Sequence, residues 1–408
     1  MAAGLYAYVG YPLLVGLASR IAGRRGPPAP SGQSPPTLSV IVCAYDERDF
    51  IADKVADIGA QDYPPERLEI IVVADGSRDD TAAVARRLGA RVLWRPERAG
   101  KAAAVNRGAA AARGDILCLT DANCRLAPGS LRALVAPFAD PRVAVVSGAK
   151  TVQGPGARGT GEGLYWRVEA YLKRCESALG CTMGAPGEIC GVRRRTFRPL
   201  PVSTVCDDYH MVCDALARGL RVAYAADAVA TETVSATVAG EFERRTRIGA
   251  GTWQATLAHL RLLDPRGGWT AVAFLSHRVL RSLVVPPLLP ALWLSSLRRA
   301  RHGGLPRLLA ALQAGAYAAA GAGALSDARV FAVPFQFALT NIATARGALR
   351  YVLGKQPSAW HTVSRAAPGH GQGRRWPSES ATSSTASAPA EPSTSSWTWP
   401  GRQPPGWT

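Results

Sequence analysis

Three acidic positions in this sequence each follow an apolar run. Ile116-Leu117-Cys118-Leu119 passes into Thr120-Asp121-Ala122-Asn123, the run 68–74 into Asp75, and the run 38–44 into Tyr45-Asp46-Glu47. Acids that terminate buried strands stand where open α/β sheets bind ligands, at the carboxyl ends of the strands. Gathered at one rim, they suit a divalent cation and a phosphate-bearing nucleotide, with backbone groups of Ala44 and Tyr45 available beside them. Asp121 and Asn123 are the candidate ligands for Mg²⁺ or Mn²⁺. One carboxylate and one amide oxygen suffice for such a hard cation only if a diphosphate supplies further oxygens. A strand-end turn capped by Asn123 explains the same stretch equally well.

Asp75 opens the segment Asp75-Gly76-Ser77-Arg78-Asp79. Gly76 permits a tight turn, and an ionised carboxylate accepts hydrogen bonds from a base or ribose. Ser77, Asp79 or Asp80 can cap the helix that begins near Thr81, which leaves Asp75 for a ligand. Gly100-Lys101 starts a helix that carries Asn106. A lysine there opposes the helix macrodipole and makes sense if an anion arrives; a solvated lysine is the ordinary alternative. Farther along, Cys206-Asp207-Asp208-Tyr209-His210 holds an acid pair. One acid can cap a helix while the other takes a proton from a hydroxyl. Asp208 is the candidate base and His210 its alternative. Arg244-Arg245-Thr246-Arg247 precedes Gly249-Ala250-Gly251. Guanidinium forks grip phosphates at two points, and a basic helix on a membrane surface competes with that role.

These residues need a scaffold. Apolar runs predict strands over 38–44, 68–74, 91–94, 116–120 and 143–147, alternating with helical patterns over 48–60, 80–89, 101–113 and 128–138. Such βαβ alternation predicts an α/β fold with a mostly parallel sheet and right-handed crossovers. Beyond 155 the pattern is less regular, with helices expected over 160–178 and 207–218.

The 408 residues can hold one large or two ordinary domains. A 47% hydrophobic content and a mean hydropathy of +0.01 allow a soluble core plus a few membrane spans. Net charge is +18. Arginines flank apolar segments, as with Arg20, Arg24 and Arg25 or Arg298, Arg299 and Arg301, which favours an anionic membrane surface over nucleic acid. No basic stripe interleaved with aromatics accompanies them. Residues 4–22 are expected to be a transmembrane helix whose basic flank leaves the following chain in the cytoplasm. Residues 23–36 read as a linker. Residues 270–354 are expected to form an interfacial start, broken by His277, Arg278 and Arg281, and then spans near 305–325 and 329–353. Residues 355–408 read as a disordered cytoplasmic tail. The expected setting is the cell membrane, multi-pass, with a cytoplasmic catalytic domain. The eight cysteines lack CxxC spacing, which argues against a zinc site and against a disulfide framework. No GxGxxG follows the first strand and no GxxxxGK[ST] occurs, which counts against dinucleotide and P-loop sites.

Taken together these positions resemble the family-2 glycosyltransferases of GT-A fold, and more narrowly the membrane-bound branch of cellulose-, hyaluronan- and poly-N-acetylglucosamine-synthase-like members. The resemblance covers about residues 37–262. Ser39 to Glu47 is similar to the opening strand, with Asp46 where Asn is usual. Val73 to Ser77 is similar to the nucleotide-base segment, and Gly100-Lys101 with Asn106 to the segment that follows it. Asp121-Ala122-Asn123 takes the DxD metal position, and Asp207-Asp208 takes the acidic pair whose second member is the base. Arg244 to Arg247 is similar to the QxxRW region. Asn123 replaces a carboxylate, Arg244 replaces Gln and Ile248 replaces Trp, which puts processive polymerisation in doubt; Trp253 and Gln254 lie nearby.

The resemblance implies inverting transfer from a nucleotide diphosphate sugar, expected to be UDP-linked, to a glycan or lipid-linked acceptor in cell-surface polysaccharide synthesis. Asp208, beside Asp207, would be the base, with Arg247 stabilising the diphosphate. Ala44, Tyr45, Glu47, Asp75, Lys101, Asp121 and Arg244 would surround the nucleotide. Glu162 and Trp166 would line the acceptor side, since aromatic faces suit sugar rings; a packed amphipathic helix fits them as well. A non-catalytic membrane sensor of sugar nucleotides would carry the same donor groups and differ by lacking turnover.

Overall fold

In β1 (Leu38–Ala44) every residue is buried. Leu38, Val40 and Val42 enter one apolar cluster while Ile41 and Cys43 enter another. That split is the period-two signature of a central strand covered on both faces. Each such Ile or Val contributes about 1.5–3 kcal/mol by leaving water. The computed structural model describes residues 2–23, 34–153, 156–233, 237–326 and 328–357, the side chains of 153–162 excepted. The expected linker and the expected C-terminal tail fall largely outside these residues.

An N-terminal helix comprises α1 (Ala2–Leu5), a π-helical turn and α2 (Tyr11–Ile21). After β1 come α3 (Arg48–Gly59), β2 (Leu68–Asp75), α4 (Thr81–Arg87), β3 (Arg91–Arg95), α5 (Lys101–Ala111) and β4 (Ile116–Asp121). There follow β5 (Arg125–Leu126), α6 (Ser130–Val135), β6 (Val143–Gln153), α7 (Gly156–Ala178), β7 (Cys190–Arg193), α8 (Asp207–Ala217), β8 (Arg221–Thr233) and α9 (Val238–Ala258). The C-terminal part holds α10 (Trp269–Ala273), a π-helical stretch Phe274–Val284, α11 (Val285–Ala300), α12 (Gly304–Leu325) and α13 (Ala332–Val352).

The strands form one sheet of order β3-β2-β1-β4-β7-β6-β8-β5. The first four are parallel, as the alternation predicts, and β6 pairs with β8 in parallel. The sheet is mixed because β7 runs antiparallel between β4 and β6, and β5 antiparallel to β8. In the parallel register Cys43 faces Asp121 and Ala44 faces Ala74. The carboxyl ends of β1, β2 and β4 therefore share one edge. Helix α5 lies tight over this half: a Cβ at Gly108 would stand 2.5 Å from Ile41 Cγ2. All eight cysteines are buried free thiols.

Among the described residues two helices are long and apolar enough, by length and composition, to cross a membrane: Trp269–Ala300 and Gly304–Leu325. The N-terminal helix is not one of them. It buries Tyr11 and Val15 on one side and leaves Leu13, Leu17 and Ile21 exposed on the other. Helix α13, expected to span, is not one of them either. It lies along α9, where a Cβ on Gly347 would stand 2.3 Å from Thr246 O, and it buries Gln336 and Asn341.

Candidate active site

The sheet edge is built by three turns. After β1, Asp46 takes a left-handed backbone conformation (φ 51°), a geometry Asp tolerates better than most residues. Its Oδ1 accepts from Arg78 N at 2.8 Å, and Thr81 Oγ1 accepts from Glu47 N at 2.9 Å. The Arg98 guanidinium lies 3.6 Å over the Tyr45 ring. Gly76 has φ 75°, and a Cβ there would strike the Arg98 backbone at 2.9 Å, so only glycine lets these two turns approach.

Asp75 has a different role from the one expected. It is fully buried. Its Oδ2 accepts from Gly100 N at 2.7 Å and Ala99 N at 3.1 Å, and its Oδ1 pairs with Arg107 Nη2 at 2.7 Å. The carboxylate thus fixes the turn that launches Lys101, and its acceptor sites are taken by the chain itself. Asp75→Ala would leave the Arg107 guanidinium buried without a carboxylate. We expect a loss of about 3 kcal/mol or more in denaturant unfolding; a ligand contact alone would leave the unfolding midpoint in place. Asn106, whose amide exchanges two 2.8 Å hydrogen bonds with the Leu200 backbone, is likewise structural.

Lys101 is the hub of the cleft. Its ammonium lies 2.9 Å from Asp121 Oδ1 and 3.8 Å from Asp207 Oδ1. Burial alone would lower its pKa; Asp121, Asp207 and Asp208 outweigh burial and hold it well above the usual lysine range. Asp207 is buried at the start of α8, while Asp208 is half-buried. Burial first, then Asp207, pushes the Asp208 carboxyl up to about 7, and Lys101 limits the rise. Proton acceptors work best when their pKa lies near the operating pH. A Cβ on Gly187 would stand 3.0 Å from Lys101 Nζ, 3.6 Å from Asp208 Oδ2 and 3.8 Å from Asp121 Oδ2. The three groups therefore surround one space, kept open by the missing side chain. Gly187→Ala should fill it without disturbing the fold, and we expect any reaction that uses this space to slow by on the order of 10²-fold with an unchanged unfolding midpoint.

Several supporting residues were not legible in the sequence. Lys54, fully buried, donates to Cys124 O at 3.0 Å and props the Asp121 turn from beneath. Thr120 Oγ1 donates to Glu188 O at 2.7 Å, tying β4 to the 181–189 segment. Lys150 pairs with both Glu188 and Glu232. Lys173 is buried, and burial, partly opposed by Glu169, lowers its ammonium to about 8. Its Nζ lies 5.9 Å from the Trp166 ring centroid.

The basic stretch divides. Arg247 donates to Val205 O at 3.4 Å, just before the acid pair. Arg244 and Arg245 instead pair with Glu241 and line a separate cavity next to Trp166. Gln254 takes a hydrogen bond from Val205 N and donates to Ser203 O, both at 2.9 Å, so it clamps the segment leading to Asp207. Trp253 donates to Ser282 O at 3.1 Å. His210 stacks edge-on against His259 at 4.8 Å and lines a different pocket with Asp214 and Arg218. The structure brings Lys101, Asp121, Asp207 and Asp208 together, and does not bring His210 to them. The side chain of Glu162 lies outside the described residues.

Among the described residues no group of three His, Cys, Asp or Glu could hold a metal ion by itself. Asp121 nonetheless keeps 30% of its side chain exposed. That donor set fits a hard cation that brings its remaining oxygens with a substrate diphosphate.

A mixed, mostly parallel sheet with acids at its carboxyl edge and a basic hub defines a GT-A-type fold. Residues 39–197 match the family model Glycosyl transferase family 2. Of solved structures, the mannosyltransferase PcManGT from Pyrobaculum calidifontis, in complex with GDP-Man and Mn²⁺, aligns with a TM-score of 0.69 at 25% identity, over 87% of this chain and 98% of that one. An N-acetylglucosaminyltransferase of Rhizobium meliloti is 28% identical over 251 residues, 56% of this chain and 58% of that protein. A beta-monoglucosyldiacylglycerol synthase of Synechocystis is 25% identical over 276 residues, 63% of this chain. The chain spans 58% of the length of both of these relatives.

Proposed function

We propose that this chain is a membrane-associated, inverting glycosyltransferase that moves a sugar from a nucleoside diphosphate sugar to a hydroxyl of a glycan or lipid-linked acceptor. The observation that carries the reading is Asp208, its carboxyl raised to about 7, sharing one space with Asp121 and Lys101. An acid raised to that value is poised to accept a proton near neutrality. The acceptor oxygen attacks the anomeric carbon and gives its proton to Asp208. The bond to the diphosphate breaks, and its electron pair leaves with the phosphate. Lys101 and Arg247 supply positive charge toward that leaving group. Asp121, with Asn123, would hold Mg²⁺ or Mn²⁺, which supplies Lewis-acid stabilisation of the departing diphosphate. The turns at Ala44, Tyr45 and Glu47 border the nucleotide.

UDP-linked donors are the expectation from the family resemblance, and the PcManGT complex holds GDP-Man, so both nucleotides belong in the test. We place the protein at the cell membrane with its catalytic domain in the cytoplasm. The two apolar helices and the Arg298, Arg299 and Arg301 cluster support this. Detergent-purified protein should hydrolyse or transfer one member of a panel of UDP- and GDP-sugars in the presence of Mn²⁺. Tight nucleotide-sugar binding without any turnover would instead make it a sensor.

A further inference from the structure

A cavity of about 360 Å³ lies between α7, α9, the π-helical stretch, α11 and α13. Its volume is within the range of small-ligand sites. Its lining mixes two chemistries. Arg278, Arg281 and Trp166 line it together with Pro286, Val333 and Phe337. Arg281 pairs with Glu169 at 2.7 Å. Arg278 donates to Met183 O at 2.6 Å and stacks 4.5 Å over Tyr209, the neighbour of Asp208; among the described residues no carboxylate is in ion-pair contact with it. The Trp166 indole N–H is buried and has no hydrogen-bond partner. Such a donor is costly to leave unmade. The same indole lies near Lys150 and Lys173, at 5.2 and 5.9 Å from its ring centroid.

We propose that this cavity binds the acceptor, a sugar joined to a lipid chain through a phosphate or diphosphate. The inference rests on the glycosyltransferase reading and names its acceptor class. The lipid chain lies against Pro286, Val333 and Phe337, toward the helices long enough to span a membrane. The phosphate group meets the Arg278 guanidinium, whose flat fork matches phosphate oxygens. The sugar sits on Trp166, satisfies its indole N–H, and presents a hydroxyl toward Asp208. A neutral glycolipid would leave Arg278 without an ion-pair partner, and a free phosphate would leave Pro286, Val333 and Phe337 uncovered.

The test uses full-length protein in phosphatidylcholine nanodiscs with three probes: a monosaccharide joined to farnesyl by a diphosphate, a farnesyl glycoside of the same sugar, and inorganic pyrophosphate. Titrations are run with the donor site saturated by nucleoside diphosphate. The diphosphate-linked probe should bind about tenfold or more tightly than either control. Arg278→Gln should cost about tenfold in its affinity, and Val333→Trp, which crowds the apolar lining, should cost a similar factor while nucleotide affinity stays within about twofold. Equal binding of the farnesyl glycoside, equal binding of pyrophosphate, or unchanged affinity in Val333→Trp would each overturn the proposal, even if Arg278→Gln failed to fold. The donor reading fails separately: it is lost if no UDP- or GDP-sugar binds or reacts, whatever the lipid probe does.

Discussion

Asp208→Asn should abolish transfer while sparing the donor. We expect kcat to fall about 10²–10⁴-fold, the range lost with a positioned general base, and nucleotide affinity to stay near wild type because Lys101, Asp121 and the β1 turn remain. The wild-type pH profile carries the same signature. The base acts only when ionised, so kcat/KM should drop about tenfold per unit below pH 7, the value to which burial and Asp207 raise this carboxyl. Stability should move the opposite way. A carboxyl whose folded pKa exceeds its unfolded one binds more protons when folded, so its contribution declines as pH rises from about 4 to about 7. Asn does not titrate. The melting temperature of Asp208→Asn should therefore gain on wild type across that window and keep the gain above it. Equal turnover in the variant, or a pH–rate profile flat from 5 to 8, would remove Asp208 from the role of base.

Asp121→Ala should be nearly as damaging, through the cation. Loss of the carboxylate that would hold Mn²⁺ removes several kcal/mol of stabilisation from the departing diphosphate, or about 10²-fold or more in kcat/KM. Calorimetry reads this without turnover. With one carboxylate in the site, Mn²⁺ should bind weakly to the protein alone and much more tightly once a nucleoside diphosphate is present. In Asp121→Ala the gain from nucleotide should vanish. Lys101 would keep Asp207 and Asp208 as neighbours, so the fold should persist. An Mn²⁺ dependence identical in wild type and variant would refute Asp121 as a ligand.

The central half of the sheet was readable because its strands are covered on both faces and so appear as unbroken apolar runs. Strand β8 was not readable, since its exposed side carries Tyr224 and Asp227 and dilutes the run. Strand β7 is four residues long and contains a glycine, too short for any period to emerge. The acids at strand ends were readable by type and place. Their duties were not, because these depend on partners distant in sequence. Asp75 is occupied by backbone amides 24 and 25 residues away. Lys54 and Lys173 look like solvated helix lysines until packing buries them. Gly187 carries no chemistry of its own, and its meaning lies in the empty volume where a Cβ would stand.

Helix α9 bears Gln254 and Arg247 against the backbone leading to Asp207, and Arg244, Arg245 and Ile248 against the arginine-lined cavity. One helix thus carries both a clamp on the segment leading to the acid pair and a wall of that cavity. A ligand in that cavity would therefore touch the same helix that clamps the backbone leading to Asp207.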